Sequence, residues 1–398
     1  MSKVMVMNGN KAAAVGAMLS RPEVIAAYPI TPQTPIVEFL TEFVANGELD
    51  SVISEVESEH SAMSVVTGAS LAGSRVFTAT SSQGLALMYE PYFRASTLRL
   101  PIVMAIVNRE MISPQTVWGG PQDSLTLRDA GWIQIYVEDN QEILDMIIQA
   151  YKIAENNEVL LPVNICYDGF YLSHMTEKVI VPDQEDVDKF LPTYNPIHIK
   201  LDPDEPMAVD PLTHGHLLME YREKHMAAQQ NALEVIDGVD KEFKEIFGRS
   251  YGGVVEKYRL EDADAVLVTM GSMTGAARDA VDDVRERGRK IGLLKIRCLR
   301  PFPKKAVIES MTGKKGFGVV DRNVSFGWNT GIIYQEIKSA LYESGGVIPS
   351  VPFVGGLGGE DIVKEHFIQA IEKVYEHIET GNKSEKTYWL KKDKGGIN

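Results

Sequence analysis

Short runs of nearly pure hydrocarbon recur between helical stretches along this chain, and that alternation limits the folds open to it. Val76-Phe77-Thr78-Ala79, Ile102 to Val107, Leu160 to Cys166, Ala265 to Met270 and Ile291 to Ile296 are such runs. None alternates apolar with polar residues. A strand that is apolar on both faces must be covered on both, as in a parallel sheet between helices, so the fold class is α/β. At 398 residues there is room for two or three domains with full cores. The helix–strand alternation fills residues 1–175 and resumes within 256–398. Between them, residues 176–255 carry prolines at 182, 192, 196, 203, 206 and 211 among acidic residues, then a charged amphipathic stretch from Leu217 to Phe247. This reads as an extended arm and a connector helix that packs on a partner or the other domain and completes the first domain.

Within the first domain, one loop is unusually stiff. The run Glu23 to Ala27 leads into Tyr28-Pro29-Ile30-Thr31-Pro32, where each proline fixes its own φ and restricts the residue before it. Thr31 is a hydroxyl held on a rigid turn. Thr34 before Pro35 reads as the N-cap of the next helix. A rigid loop at the carboxyl end of a strand, facing a helix N-terminus, suits a small anionic ligand.

Composition excludes several classes of function. A formal net charge of -15 argues against nucleic acid, whose phosphates need a basic face. No apolar run approaches the about 20 residues of a membrane span, and no signal-peptide pattern opens the sequence, so a cytoplasmic location is expected. Cys166 and Cys298 lie in strand-like runs far apart, read as core residues rather than a disulfide or a metal cage. This chain cannot hold an iron–sulfur cluster by itself.

The chemistry-bearing candidates follow strands. Glu59 ends the run Glu55, Glu57, Glu59 where the surroundings turn small and apolar, so its carboxyl is expected partly buried and able to exchange a proton with a ligand nitrogen. Glu55 and Glu57 read as carboxylates favoured by the helix dipole, and His60 as packed. Arg109 ends an apolar strand and offers a guanidinium fork for a carboxylate. The loop Met111 to Asp123 reads equally as lid, specificity wall or crossover. Gly271 to Gly275 lacks dinucleotide spacing. Gly355 to Gly359 lets backbone approach another chain or a neighbouring helix. The tail after Thr380 is lysine-rich and read as loosely ordered, with Tyr388-Trp389-Leu390 as an anchor.

Tyr28-Pro29-Ile30-Thr31-Pro32, Ser58-Glu59, Thr80-Ser81-Ser82-Gln83-Gly84-Leu85, Asn108-Arg109, Arg128-Asp129-Ala130-Gly131-Trp132, Arg300-Pro301-Phe302-Pro303 and Gly355 to Gly359 stand in one order. With them the chain resembles, nearly end to end, the alpha subunit of 2-oxoacid:ferredoxin oxidoreductases, the pyruvate:ferredoxin oxidoreductase family. The resemblance implies a pyrimidine-binding thiamine diphosphate domain over 1–175 and a transketolase C-terminal-like domain over 256–398. It implies that a beta subunit supplies the magnesium and pyrophosphate half, and that further gamma- and delta-type chains carry [4Fe-4S] clusters. The sequence agrees in lacking the usual Gly-Asp-Gly cofactor signature, of which Tyr167-Asp168-Gly169 is a chance fragment, and in lacking a cysteine cluster.

By position, the resemblance implies that Glu59 hydrogen-bonds the aminopyrimidine and promotes its imino tautomer. Thr31 and Arg109 match the pair that binds the substrate carboxylate and keto oxygen, and Gln83 and Gly84 border the pyrimidine pocket. The implied reaction is oxidative decarboxylation of a 2-oxoacid, with coenzyme A taking the acyl group and electrons passing to ferredoxin or a nicotinamide-reducing subunit. One departure bears on substrate. Where pyruvate-using relatives tend to read Ser-Ala-Pro-Leu-Asn-Ile-Trp-Asn-Asp, this chain has Ser113 to Asp123 with Gly119-Gly120-Pro121 after Trp118. Loss of two polar side chains there is expected to widen the pocket, toward branched or aryl 2-oxoacids such as phenylglyoxylate. The rival readings are a non-catalytic scaffold subunit and a transketolase-like transferase without electron transfer.

Overall fold

Asn8 starts the first helix, Gly9–Ser20: its side chain accepts from the Lys11 amide at 2.9 Å, and the alanines of that helix are buried. The computed structural model describes residues 3–345, 347–382 and 386–391. The strands are β1 Lys3–Asn8, β2 Val24–Ala27, β3 Val52–Glu55, β4 Val76–Thr80, β5 Val103–Asn108, β6 Ile133–Tyr136, β7 Val163–Asp168 and β8 Thr176–Val181. They continue as β9 Val255–Tyr258, β10 Ala265–Thr269, β11 Ile291–Ile296, β12 Cys298–Arg300, β13 Gly316–Asp321, β14 Ser350–Gly355 and β15 Tyr388–Leu390.

Two sheets carry the molecule. The first has the order β12-β6-β7-β5-β4-β2-β3, parallel except for β12. The second has the order β15-β14-β13-β10-β11-β9, parallel except for β9. Strands β4, β5, β6 and β7 are buried along their whole length, as strands covered by helices on both faces must be. In a parallel sheet the carboxyl ends all meet one edge. The loops after β3, β2, β4 and β5 therefore emerge side by side, and they carry Glu59, Thr31, Gln83 with Gly84, and Arg109.

The region 176–255 is more structured than an extended arm. Lys178 to Val181 complete β8, which pairs antiparallel with β1, and helix Gln184–Phe190 follows. The connector helix runs Gly215–Phe247, and its buried stripe, Ala228, Ala232, Ile236, Val239 and Phe243, packs on the first unit rather than on a partner or the second sheet. Phe243 meets Phe190 edge to face at 5.4 Å. Thr34 is not an N-cap. It is the first residue of helix Thr34–Ala45, preceded by Gln33 in helical geometry, because the Gln33 amide already turns back to the Ile30 carbonyl at 2.8 Å. Tyr388–Leu390 forms β15 beside β14, while tail residues 383–385 and 392–398 lie outside the described residues.

The two sheets are joined by strand exchange and by buried charge. β12 follows β11 of the second sheet yet pairs with β6 of the first, and Arg300 there bonds Asp129 at 3.1 Å and Glu336 at 2.6 Å. Lys295, 2% exposed, lies 2.8 Å from Glu142 and 2.9 Å from Glu138, and Arg297 reaches Glu142 at 2.8 Å. Burial raises the Glu142 carboxyl, but Lys295 and Arg297 outweigh it and hold it down at about 2. A buried ion network is costly to assemble and more costly to leave half-made. Lys295→Met should therefore destabilise the fold by about 3–5 kcal/mol, read as a fall in the unfolding midpoint.

Candidate active site

Glu59 opens helix Glu59–Leu71, whose N-cap Ser58 accepts from the Ser61 amide at 3.3 Å. Its residue is 6% exposed. Burial raises its carboxyl above the ordinary range, and its own backbone amide offsets part of that rise. The carboxyl can lie there because residue 84 is glycine: a Cβ at Gly84 would stand 2.5 Å from Glu59 Oε1 and 2.5 Å from Thr80 Oγ1. Thr80 Oγ1 and Gln83 Oε1 are buried and without a hydrogen-bond partner in the chain. Three polar groups thus gather beside a glycine with bonding capacity left over, an arrangement that fits a flat, nitrogen-bearing ring. Residues 82–84 are not a loop, as the sequence reading had them. They form the first turn of helix Ser82–Leu87, which holds Gln83 and Gly84 close to the end of β4.

Thr31 and Arg109 are brought together. Arg109 Nη1 donates to the Thr31 carbonyl at 3.0 Å and Nε to the Thr116 carbonyl at 3.0 Å. The guanidinium is buried at 7% exposed, while the Thr31 side chain is open to solvent. The fork is therefore partly engaged by backbone, and Nη2 is the nitrogen without a bond of its own to the described residues. The turn beneath Thr31 is pinned as well, since Asn10 Nδ2 donates to the Pro32 carbonyl at 2.8 Å.

Sequence reasoning passed over the residue that organises these loops. Asp123 is 1% exposed, and its Oδ2 accepts from the amides of Ser82 at 2.9 Å and Arg109 at 3.1 Å. Its Oδ1 accepts from Asn108 Nδ2 at 2.7 Å and the Ser124 amide at 2.8 Å. Burial pushes this carboxyl up to about 6 against the pull of those donors. The only sequence signal was an acidic residue just after Gly119-Gly120-Pro121, an ordinary pattern for a turn.

The loop glycines turn out to be close-packing devices. A Cβ at Gly119 would stand 2.5 Å from the Gly169 carbonyl, and one at Gly120 would fall within the Glu110 carboxyl group. The space expected to widen the pocket is filled by Glu110 and by backbone. The glycine turn after β14 approaches neither another chain nor a helix: a Cβ at Gly359 would stand 2.8 Å from Trp118 Cβ, and the Gly358 amide donates to Glu110 Oε1 at 3.3 Å. Tyr167-Asp168-Gly169 is likewise more than a chance fragment, because Asp168 accepts from Arg322 Nη1 at 2.6 Å and from Ser272, joining the two units.

A cleft of about 770 Å³ between the units is lined by Trp118, Tyr171, His174, Glu138, Arg322 and Asp361 among others, but by none of Thr31, Glu59, Gln83, Gly84 or Arg109. Its carboxylates face one arginine that Asp168 already holds, so an anionic substrate is better placed beside Arg109.

Two outcomes are expected from this geometry. Gly84→Ala should displace Glu59 and cost about 1–3 kcal/mol, the usual range for overpacking, seen as a lower melting temperature. Burial, together with nearby Asp123 and Asp168 and against the Gly358 amide and Arg322, raises Glu110 from 4.5 to about 7. Between those values only the folded chain keeps the proton, so wild type loses stability as pH rises through that interval. A Glu110→Gln chain should gain melting temperature relative to wild type from about pH 5 to 8.

Known proteins agree with this layout. A family described as pyruvate flavodoxin/ferredoxin oxidoreductase, thiamine diP-binding, matches residues 15–241, and the pyruvate:ferredoxin oxidoreductase core domain II matches residues 263–367. The alpha subunit of NADH-dependent phenylglyoxylate dehydrogenase from Aromatoleum evansii is 49% identical over 93% of this chain and 91% of its own length. The pyruvate synthase subunit PorA of Methanocaldococcus jannaschii is 49% identical over 98% of both chains. A solved 2-oxoglutarate:ferredoxin oxidoreductase from Magnetococcus marinus superposes with a TM-score of 0.72 at 23% identity, a likeness of fold that covers 94% of this chain and 65% of that one. Since the first family match takes in more than half of the residues and the relatives align almost end to end, this chain belongs to the pyruvate flavodoxin/ferredoxin oxidoreductase family.

Proposed function

We propose that this chain is the alpha subunit of a multi-subunit, thiamine diphosphate-dependent 2-oxoacid oxidoreductase that forms acyl-coenzyme A and carbon dioxide. The observation that carries the reading is the buried Glu59 carboxyl beside the unpartnered Thr80 Oγ1 and Gln83 Oε1, inside the segment matched by a thiamine diphosphate-binding family. These groups suit an aminopyrimidine, and Gly84 leaves it room. The cofactor, when bound, supplies a nucleophilic carbon and an electron sink for decarboxylation.

The residues of this chain then have distinct tasks. Glu59 holds and exchanges a proton with the pyrimidine, and its raised carboxyl suits proton exchange closer to neutrality than an ordinary glutamate. Arg109 Nη2 and the Thr31 hydroxyl bind the carboxylate and keto oxygen of the 2-oxoacid. Two electrons leave as carbon dioxide and the acyl group part, and this chain has no place for them. Its two cysteines are both buried and unpaired, whereas a cluster needs a set of thiolates. Accordingly [4Fe-4S] clusters belong on gamma- or delta-type chains, and the magnesium and pyrophosphate half of the cofactor site on a beta subunit. The final acceptor is ferredoxin or a nicotinamide-reducing subunit. No helix among the described residues is long and apolar enough to cross a membrane, in keeping with a complex that works in the cytoplasm.

Two relatives of equal identity are named for pyruvate and for phenylglyoxylate, so overall similarity does not choose the substrate. The test is a panel of 2-oxoacids, from pyruvate through branched to aryl, assayed with the purified complex, coenzyme A and a viologen dye. Coenzyme A-dependent dye reduction is expected, whereas a transketolase-like transferase would give none. In that complex Glu59→Gln should lower kcat by about 100- to 10,000-fold, the range for loss of a proton-transfer group. Thr31→Ala and Arg109→Ala should raise the KM for the 2-oxoacid and depress turnover. Full activity in Glu59→Gln would overturn the assigned mechanism, and full activity in all three variants would leave only a scaffold.

A further inference from the structure

Arg109 is aimed by two backbone carbonyls, those of Thr31 and Thr116, and the second belongs to the loop that begins at Glu110. Whatever fixes that loop also fixes the guanidinium. Glu110 is fastened on three sides. Its amide donates to the Trp118 carbonyl at 3.3 Å, closing the base of the loop. Its carbonyl accepts from Ser82 Oγ at 2.8 Å, in the helix turn that carries Gln83 and Gly84. Its side chain accepts from the Gly358 amide of the second unit and occupies the space that a Cβ at Gly120 would claim. Trp118 is seated at the same place, against Gly359 and with its ring 4.7 Å from that of Phe170.

We propose that Glu110 is a positioning residue, through which the glycine turn of the second unit sets the Thr116 carbonyl and hence the aim of Arg109 at the substrate carboxylate. This inference rests on the function proposed above. A small or apolar residue would serve if the loop only had to cross from β5 to the next helix. A buried carboxyl that touches both units and carries a raised affinity for its proton is costly to keep, and its return is a fixed loop. Displacements of about 1 Å at a substrate-binding group can cost about 100-fold in rate, so a tether remote from the reacting atoms has leverage.

The experiment compares Glu110→Ala, Glu110→Gln and wild type in the purified complex. Dye reduction by the wild-type complex with any 2-oxoacid tests the function itself, independently of the variants. For Glu110→Ala, the expected result is a KM for the 2-oxoacid raised about tenfold with kcat changed less than the KM, while thiamine diphosphate affinity stays at the wild-type value. Limited proteolysis within residues 111–118, which needs no activity, should quicken in the same variant. Glu110→Gln, which keeps the shape and an acceptor for the Gly358 amide, should restore most of both. An unchanged KM and unchanged proteolysis in Glu110→Ala would overturn the proposal. So would a parallel loss of cofactor affinity and KM that Glu110→Gln does not rescue, since that is the signature of general damage to the fold.

Discussion

One buried carboxylate holds the candidate site in register. Asp123 accepts from donors on three separate segments: Ser82 at the start of the helix after β4, Asn108 and Arg109 at the end of β5, and Ser124 beside it. Without these bonds the amides of residues 82 and 109 would be buried and unsatisfied, each at a cost of about 1–3 kcal/mol. Because Ser82 leads directly to Gln83 and Gly84, and Arg109 reaches Thr31, the carboxylate couples the wall around Glu59 to the wall around the substrate pair. The parallel order β3-β2-β4-β5 brings the loops to one edge, and Asp123 fixes their spacing.

The second unit contributes stiffness to this edge rather than reacting groups. Its attachment is electrostatic and buried, through Lys295 and Arg297 on Glu142 and through Arg322 on Asp168. Ion pairs removed from water tolerate little displacement, because any loosening leaves a charge without its partner. The glycine turn after β14 is therefore presented to Trp118 and Glu110 in a defined position. The cleft left between the units is acidic and separate from Thr31, Glu59 and Arg109. A stiff, half-open site of this kind suits a cofactor whose remaining contacts come from another polypeptide, as the proposed function requires.

Much of the fold was legible along the chain. Uninterrupted apolar runs marked the parallel strands, and Asn8 marked the first helix. The sequence also pointed to Glu59, Thr31, Arg109, Gln83 and Gly84, each because it follows an apolar strand or fits a family motif. Local pattern failed where a residue takes its meaning from a distant partner. Lys178 to Val181 pair with β1 at the far end of the first unit, and β12 crosses to the other sheet, neither of which leaves a local signal. Gly119 and Gly120 looked like lost side chains until Gly169 and Glu110 were seen to fill the space.

By itself, then, the sequence determined the class of fold, the strand ends at which chemistry belongs and the identity of the groups that stand there, because hydrophobic periodicity and backbone restriction are local properties. Only the tertiary structure decided that Arg109 has a single uncommitted terminal nitrogen, that Asp123 ties the loops together and that Glu110 bridges the units. Those outcomes depend on hydrogen bonds and close contacts between residues far apart in the chain. No spacing along the sequence encodes them, since the distances arise only when both sheets are packed.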